Sequence, residues 1–188
     1  MPAKRDDLAA AHEMFGLDYT VFRPHNVYGE HQNIGDKYRN VVGIFMNQVM
    51  QGRPMTIFGD GLQTRAFTHV DDVAPVIARC VDVPSAANAV FNVGSESPRK
   101  VREVAEVVAR AFGVEPAIEF LPPRLEVIHA FSSGSRAEAV FGKREAITLE
   151  DGIGRMASWA KVHGPRATPP FSRVEAQRNL PPSWRPSA

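Results

Sequence analysis

Segments with strand-like and helix-like patterns alternate along most of the chain, and this alternation constrains the fold more than any other feature. Strands are short and apolar or period-two, whereas helices repeat apolar residues at three- and four-residue intervals. Regular alternation of the two predicts the α/β class. The predicted strands are DYTVFR (18–23), PMTIFG (54–59), TRAFTHV (64–70), AVFNVGS (89–95) and AIEFLP (117–122).

Capping residues locate the predicted helices. Asp71 or Asp72 is expected to cap the helix DVAPVIARCVDV, because a carboxylate accepts free backbone N–H groups there. Ser97 and Pro98 match the N-cap and first-residue pattern of the next helix. Thr148 and Asp151 resemble a capping box for the last helix. Further helices are predicted at 5–15, which Gly16 ends, at 39–52 and at 135–142.

Composition narrows the functional classes. The 188 residues carry a net charge of +1, so nothing favours nucleic acid or an acidic membrane as a partner. The single cysteine, Cys80, excludes an internal disulfide and suits a small core residue in a reducing compartment. No apolar run approaches a membrane span, and the start of the chain does not resemble a signal peptide, which predicts a cytoplasmic protein. The histidines lack metal-ligand spacing, so no metal site is predicted.

Two glycine patterns superficially suggest a dinucleotide loop. GDGLQT (59–64) lacks the third glycine and joins two predicted strands, and GIGRMA (152–157) lies inside a predicted helix. A pyrophosphate needs a strand, a tight turn and then a helix N-terminus. Neither pattern is therefore expected to hold a nucleotide.

Polar residues follow several predicted strands, where open α/β sheets place their ligands. RPHNVYG (23–29) ends one strand, and Asn40 begins a helix whose free N–H groups suit an anion. Gln63 and Arg65 follow a turn, and Arg124 follows another. Guanidinium groups match phosphate oxygens, so these residues could together hold a diphosphate. Taken singly, each arginine is better explained as a surface charge and each asparagine as a turn residue.

Four blocks in this order resemble a known family. They are TVFRPHNVYGEHQN, NVVGIFMNQVMQGRPMTIFGDGLQTRAFTHVDDVA, VFNVGS and PPRLEV. The chain is similar in them to NAD-dependent sugar-nucleotide epimerases and dehydratases, which are extended short-chain dehydrogenase/reductases, and most of all to the UDP-glucose 4-epimerase type. The resemblance runs from about residue 7 to the C-terminus. It implies the C-terminal part of a Rossmann-like fold: the last parallel strands plus a smaller α/β substrate-binding domain.

The resemblance also implies residue roles. Asn26 would bind the diphosphate of a UDP-sugar, and Asn40 and Val41 would contact the nucleotide. Pro24 and His25 would lie near the nicotinamide of NAD, although His25 is equally explained as a structural histidine. Tyr28 is expected to pack at the floor of the cleft, and Asp72 to serve as a cap or network residue. The residues expected to grip the phosphates are Arg65 and Arg124, with Gln63 close by.

The sequence departs from this family at its N-terminus. Family members carry a Gly-rich loop and then a Tyr-x-x-x-Lys pair, in which the tyrosine removes a sugar hydroxyl proton. Here Tyr19, Tyr28 and Tyr38 are followed four residues later by Arg, Gln and Val, and Lys4 is out of register. No catalytic residue is therefore assigned, and about 100–150 residues of the family pattern are expected to be missing. The isolated chain is expected to be inactive and not to hold NAD alone. Because a strand is left uncovered, it is also expected either to be less stable than a complete family member or to self-associate.

These expectations define three regions and several functions. Residues 1–30 would be a remnant of the dinucleotide-binding domain, and 31–164 mainly the sugar-nucleotide-binding region with strands returning to the Rossmann sheet. Residues 165–188 would be a Pro/Arg-rich tail anchored by Phe171, Leu180 and Trp184. The expected function is the C-terminal part of a UDP-sugar 4-epimerase, as a possible homodimer. The alternatives are a non-catalytic UDP-sugar-binding module, half of a split enzyme with a complementing N-terminal half, and a nucleotide-sugar dehydratase or decarboxylase.

Overall fold

The computed structural model describes residues 2–36 and 40–167, with side chains from residue 6 onward. Two short 3-10 turns are formed by Cys80–Asp82 and Pro84–Ala86. The helices within these ranges are α1 (Pro2–Phe15), α2 (Val41–Met50), α3 (Val70–Arg79), α4 (Val101–Phe112), α5 (Ser135–Phe141) and α6 (Leu149–His163). The strands are β1 (Thr20–Pro24), β2 (Val27–Tyr28), β3 (Met55–Phe58), β4 (Thr64–Ala66), β5 (Thr68–His69), β6 (Ala89–Val93), β7 (Pro98–Lys100), β8 (Ile118–Leu121) and β9 (His129–Ala130).

The strands pair mostly in parallel, which confirms the predicted α/β class. β1 pairs with β6, β2 with β5, and β3 with β8, all in parallel. β4 lies between β9, which is parallel to it, and β7, which is antiparallel. Parallel neighbours need long crossovers, and the intervening helices supply them.

Two apolar cores hold these elements together. The first lies among α2, α4, α6 and β3, where Phe45, Met46 and Ile153 are fully buried. The second joins α3, α5 and β6, and its central Phe91 packs between Phe22 and Phe141 with ring centroids 5.9 and 5.2 Å away. The first core supports the cleft described below, and the second attaches β1 to the rest of the molecule.

Two predicted helix caps are wrong and one is confirmed. α3 begins two or three residues earlier than expected, because buried His69 is its N-cap and accepts the Asp71 N–H at 3.2 Å. Pro98 does not open α4 but pairs with Ala66 in the edge strand β7, where a missing N–H is tolerated. Thr148 does cap α6, accepting the Asp151 N–H at 3.1 Å.

The predicted strand at 64–70 is two strands in different sheets. β4 pairs with β7 and β9, whereas β5 pairs with β2. Phe67, between them, is 6% exposed and belongs to the first core. The period-two pattern was therefore real, but it spans a change of sheet.

The sequence also led to expectations about membrane spans, metal sites and the C-terminal tail. No helix in the described ranges is long and apolar enough to cross a bilayer. Within the same ranges, no group of three or more His, Cys, Asp or Glu side chains is placed to hold a metal ion. Tyr38 and the proposed tail anchors Phe171, Leu180 and Trp184 lie outside the described residues.

Candidate functional site

A cleft of about 280 Å³ opens between α2, the β3–β8 pair and the loops around β4 and β8. It lies above the first core, so its walls are held by packed elements. The cleft is lined by all six residues predicted to bind substrate: Asn26, Asn40, Val41, Gln63, Arg65 and Arg124.

The start of α2 forms one wall. Asn40 precedes the helix with a φ of 60°, and its side chain donates to the Val27 carbonyl instead of capping the helix. The first N–H groups of a helix lack intrahelical acceptors, and the helix dipole favours negative charge near them. Val41 and Ile44 also line the cleft, so this helix N-terminus faces the space that a ligand would occupy.

Two amides fix the loops of the opposite wall. Asn26 follows β1 with a φ of 34° and donates to the Ala66 carbonyl at 2.8 Å. Gln63 donates to the Phe58 carbonyl at 3.0 Å and so closes the turn between β3 and β4. Both side chains thereby hold loop backbone while lining the cleft.

The cationic part of the cleft is built from two arginines and one carboxylate. Oε2 of Glu126 accepts from Arg65 at 3.2 Å and from Arg124 at 3.1 Å. The Arg124 guanidinium also lies 4.7 Å from the centroid of the Phe58 ring, at cation–π distance. The group therefore brings two positive charges and one negative charge into the same space.

Arg65 is held more firmly than a surface arginine. Its side chain is 16% exposed and donates to the carbonyls of Thr64, Val127 and Ile128 at 2.8, 2.5 and 2.9 Å. These bonds orient the guanidinium from one side. They also tie β4 to the segment that carries Glu126 and Arg124.

The other two predicted site residues, Pro24 and His25, lie outside this cleft. Pro24 ends β1 opposite Val93, and the His25 ring Nε2 contacts the Ser132 hydroxyl. Gly94 lies beside His25, since a Cβ atom added to Gly94 would lie 3.4 Å from the His25 Cβ. The structure therefore separates the predicted cofactor residues from the predicted substrate residues.

The described residues do not form a dinucleotide loop around either glycine pattern. Gly59 and Gly61 have φ values of 74° and 77° and belong to the turn between β3 and β4. Gly152 and Gly154 lie within α6. Neither segment is the strand–turn–helix that a pyrophosphate requires, which agrees with the sequence interpretation.

Tyr28 and Asp72 belong to a buried polar cluster beside α6. Burial raises the pKa of the Tyr28 hydroxyl well above its ordinary value, and the Asp72 carboxylate adds to the rise. Burial also raises the pKa of Asp72, whose Oδ2 accepts the Ile147 N–H at 3.1 Å. Tyr28 is 2% exposed, so it is a packing residue as expected, but it lies in the first core and not along the cleft.

Several residues of the cleft were not predicted from the sequence. Glu126 is the most consequential, and its place two residues after Arg124 was the available signal. Ile44 and Gln48 follow Asn40 at helical spacings of four and eight, so they could have been inferred from the helix alone. Thr56 and Phe58 line the cleft from β3.

The family follows from a match over the N-terminal part of the chain, which contributes most but not all of the cleft residues. Residues 5–94, which include β1, α2 and the turn between β3 and β4, match the NAD dependent epimerase/dehydratase family. Through this segment the chain belongs to that family. The resemblance inferred from the four sequence blocks is thus confirmed.

Individual epimerase/dehydratase family members agree with this assignment. The chain is 34% identical over 143 residues to a UDP-glucose 4-epimerase of Mycolicibacterium smegmatis, covering 76% of this chain and 45% of that protein. It is 30% identical over 148 residues to UDP-glucuronic acid decarboxylase 1 of Arabidopsis thaliana, covering 78% and 33%. A crystal structure of Thermotoga maritima UDP-glucose 4-epimerase with UDP-glucose superposes with a TM-score of 0.78 at 27% identity, covering 86% and 52%.

The chain spans about half the length of the curated relatives that it matches. The structural match likewise covers about half of the Thermotoga enzyme. The fold is therefore that of part of an epimerase-type short-chain dehydrogenase/reductase, as the sequence predicted.

Proposed function

We propose that this chain is the nucleotide-sugar-binding part of an NAD-dependent UDP-sugar 4-epimerase. The observation that carries the proposal is the convergence of six residues, from four separate segments, on one cleft. In this assignment Arg65 and Arg124 bind the diphosphate, with Gln63 beside them. Asn26 contacts the same group, and Asn40 and Val41 contact the nucleotide.

The chemistry of the cleft supports a diphosphate ligand. Two guanidinium groups and the start of α2 offer charge-assisted donors to phosphate oxygens. The apolar side chains of Ile44, Phe58 and Leu121 line the same space, which suits the flat faces of a nucleoside. A cleft with one charged end and apolar walls matches a nucleotide better than it matches a free sugar.

The proposal assigns no catalytic residue to this chain. The raised pKa of Tyr28 keeps its hydroxyl protonated at neutral pH, so it cannot serve as a base, and its place in the core keeps it away from the cleft. Pro24 and His25 are proposed to lie near the nicotinamide of NAD in a complete enzyme. The described residues contain no pyrophosphate loop, so NAD is not proposed to bind this chain alone. Activity would then need a complementing N-terminal half.

The second candidate is the same cleft in a different reaction. The similarity to a UDP-glucuronic acid decarboxylase shows that this half of the fold also occurs outside epimerases. A dehydratase or decarboxylase, or a non-catalytic UDP-sugar-binding module, would use the same diphosphate contacts. Assays of the chain with and without an added N-terminal half distinguish a module from half of an enzyme.

Isothermal titration with UDP-glucose tests the proposed site. Replacing Arg124 by Gln removes one charged donor and is expected to weaken binding by roughly 10- to 100-fold. The matched control is Arg102→Gln, since Arg102 is an exposed arginine on α4 that does not line the cleft and pairs with Glu106 instead. Equal affinities for the two variants and the wild type would refute the assignment.

A further inference from the structure

We propose that Glu126 is an internal counter-anion that sets the ligand charge this cleft accepts. It would favour the dianionic diphosphate diester of a nucleotide sugar over the more highly charged free nucleoside diphosphate. The inference rests on the proposed function, because it concerns how the same arginines discriminate among phosphate ligands.

The carboxylate of Glu126 lies between the two arginines of the cleft. A single oxygen of Glu126 bridges both guanidinium groups, at 3.2 Å from Arg65 and 3.1 Å from Arg124. This is the placement that a phosphate oxygen would take between two arginines. A bound diphosphate must therefore share the arginines with Glu126 or displace its carboxylate from them.

Arg65 is also anchored by groups other than Glu126. Three backbone carbonyls, those of Thr64, Val127 and Ile128, already orient its guanidinium. The ring of Phe58 similarly contacts the guanidinium of Arg124. Since these groups position both arginines, the chief effect of Glu126 is on the charge of the cleft.

The formal charge of the cleft matches a diphosphate diester better than a free nucleoside diphosphate. Two arginines and Glu126 leave the group with a formal charge of one positive unit. A diphosphate diester carries two negative charges, whereas a free nucleoside diphosphate adds a terminal ionisation with a pKa near 6. The Glu126 side chain is only 24% exposed, so its repulsion of each further negative charge is incompletely screened. At separations of several ångströms, repulsion by one such charge lowers the affinity for the ligand about tenfold.

The test is a titration of Glu126→Gln with three probes at constant ionic strength and pH 8. The probes are inorganic pyrophosphate, UDP and UDP-glucose. The variant is expected to bind pyrophosphate and UDP about tenfold more tightly than the wild type, and UDP-glucose with a smaller gain. The preference for UDP-glucose over UDP should therefore fall. Glu119→Gln, the same charge change at an exposed position of β8, should leave all three affinities within about twofold.

Each other result overturns the inference in a recognisable way. Unchanged or uniformly weaker binding to Glu126→Gln would show that the carboxylate only supports the arginines. Weaker UDP with unchanged pyrophosphate would show that it contacts the nucleoside. If the wild type bound none of the probes, the proposed function itself would fail. Should Glu126→Gln not fold by circular dichroism, Glu126→Asp replaces it: the retained charge predicts an almost unaltered preference, and a loss of preference refutes the proposal.

Discussion

At the residue scale, α6 packs closely against Tyr28 at Gly152. A Cβ atom on Gly152 would overlap the Tyr28 hydroxyl oxygen and lie 2.9 Å from the His69 ring. Both rings are almost fully buried, so neither can move aside. We expect Gly152→Ala to lower the free energy of unfolding by about 1–3 kcal/mol, as overpacking does. Urea denaturation followed by circular dichroism measures the change.

Gly154 provides the matched control on the same helix. Its Cβ position has no atom within 4 Å, so alanine meets open space there. Gly154→Ala should raise the free energy of unfolding by roughly 0.5–1 kcal/mol, because glycine is a poor helix former. Similar effects from both substitutions would contradict the packing argument.

At the element scale, α6 depends on a cap that the sequence predicted. Thr148 accepts the Asp151 N–H at 3.1 Å and donates to the Asp151 carboxylate at 2.6 Å. We expect Thr148→Ala to lower the free energy of unfolding by about 1 kcal/mol, since it leaves a helix N–H group without its acceptor. Thermal or urea unfolding gives the value.

Ser158→Ala is the control for that cap. Ser158 lies exposed within α6, and its hydroxyl bonds back to the Gly154 carbonyl, which does not stabilise a helix. Its loss should change the stability by less than about 0.5 kcal/mol. An equal loss from the two variants would mean that the Thr148 contact contributes nothing specific to the helix.

At the scale of the whole molecule, β1 and α1 leave apolar surface uncovered. Among the described strands, β1 pairs only with β6, so its other edge faces no strand. Met14, Phe15 and Leu17 are 72%, 77% and 55% exposed nearby. We expect the isolated chain to self-associate with rising concentration, because open edges and apolar patches seek partners. Size-exclusion chromatography with light scattering measures this.

Phe15→Glu should shift that equilibrium toward the monomer by placing a charge in the apolar surface. Val162→Glu, at an 83% exposed position of α6, should leave the equilibrium unchanged. A monodisperse, cooperatively melting wild-type monomer at all concentrations would count against self-association.

The local sequence determined the class of the fold and most of its elements. Period-two and helical patterns located the strands and helices, and Thr148 marked the start of α6, because these signals depend on neighbours along the chain. The motif blocks also singled out six of the residues that line the cleft. Where local signals competed, as at Asp71 and Ser97, the predicted caps were wrong.

Only the tertiary structure decided how distant segments meet. In the folded chain His69 is the N-cap of α3, and residues 64–70 are divided between two sheets. His25 lies beside Ser132, outside the cleft. It also paired Arg65 with Glu126, which lies 61 residues further along the chain. No local pattern encodes such a contact, because it forms only when the packing of the first core, which includes Phe67 and contacts Ile118, brings β4 and the loop after β8 together.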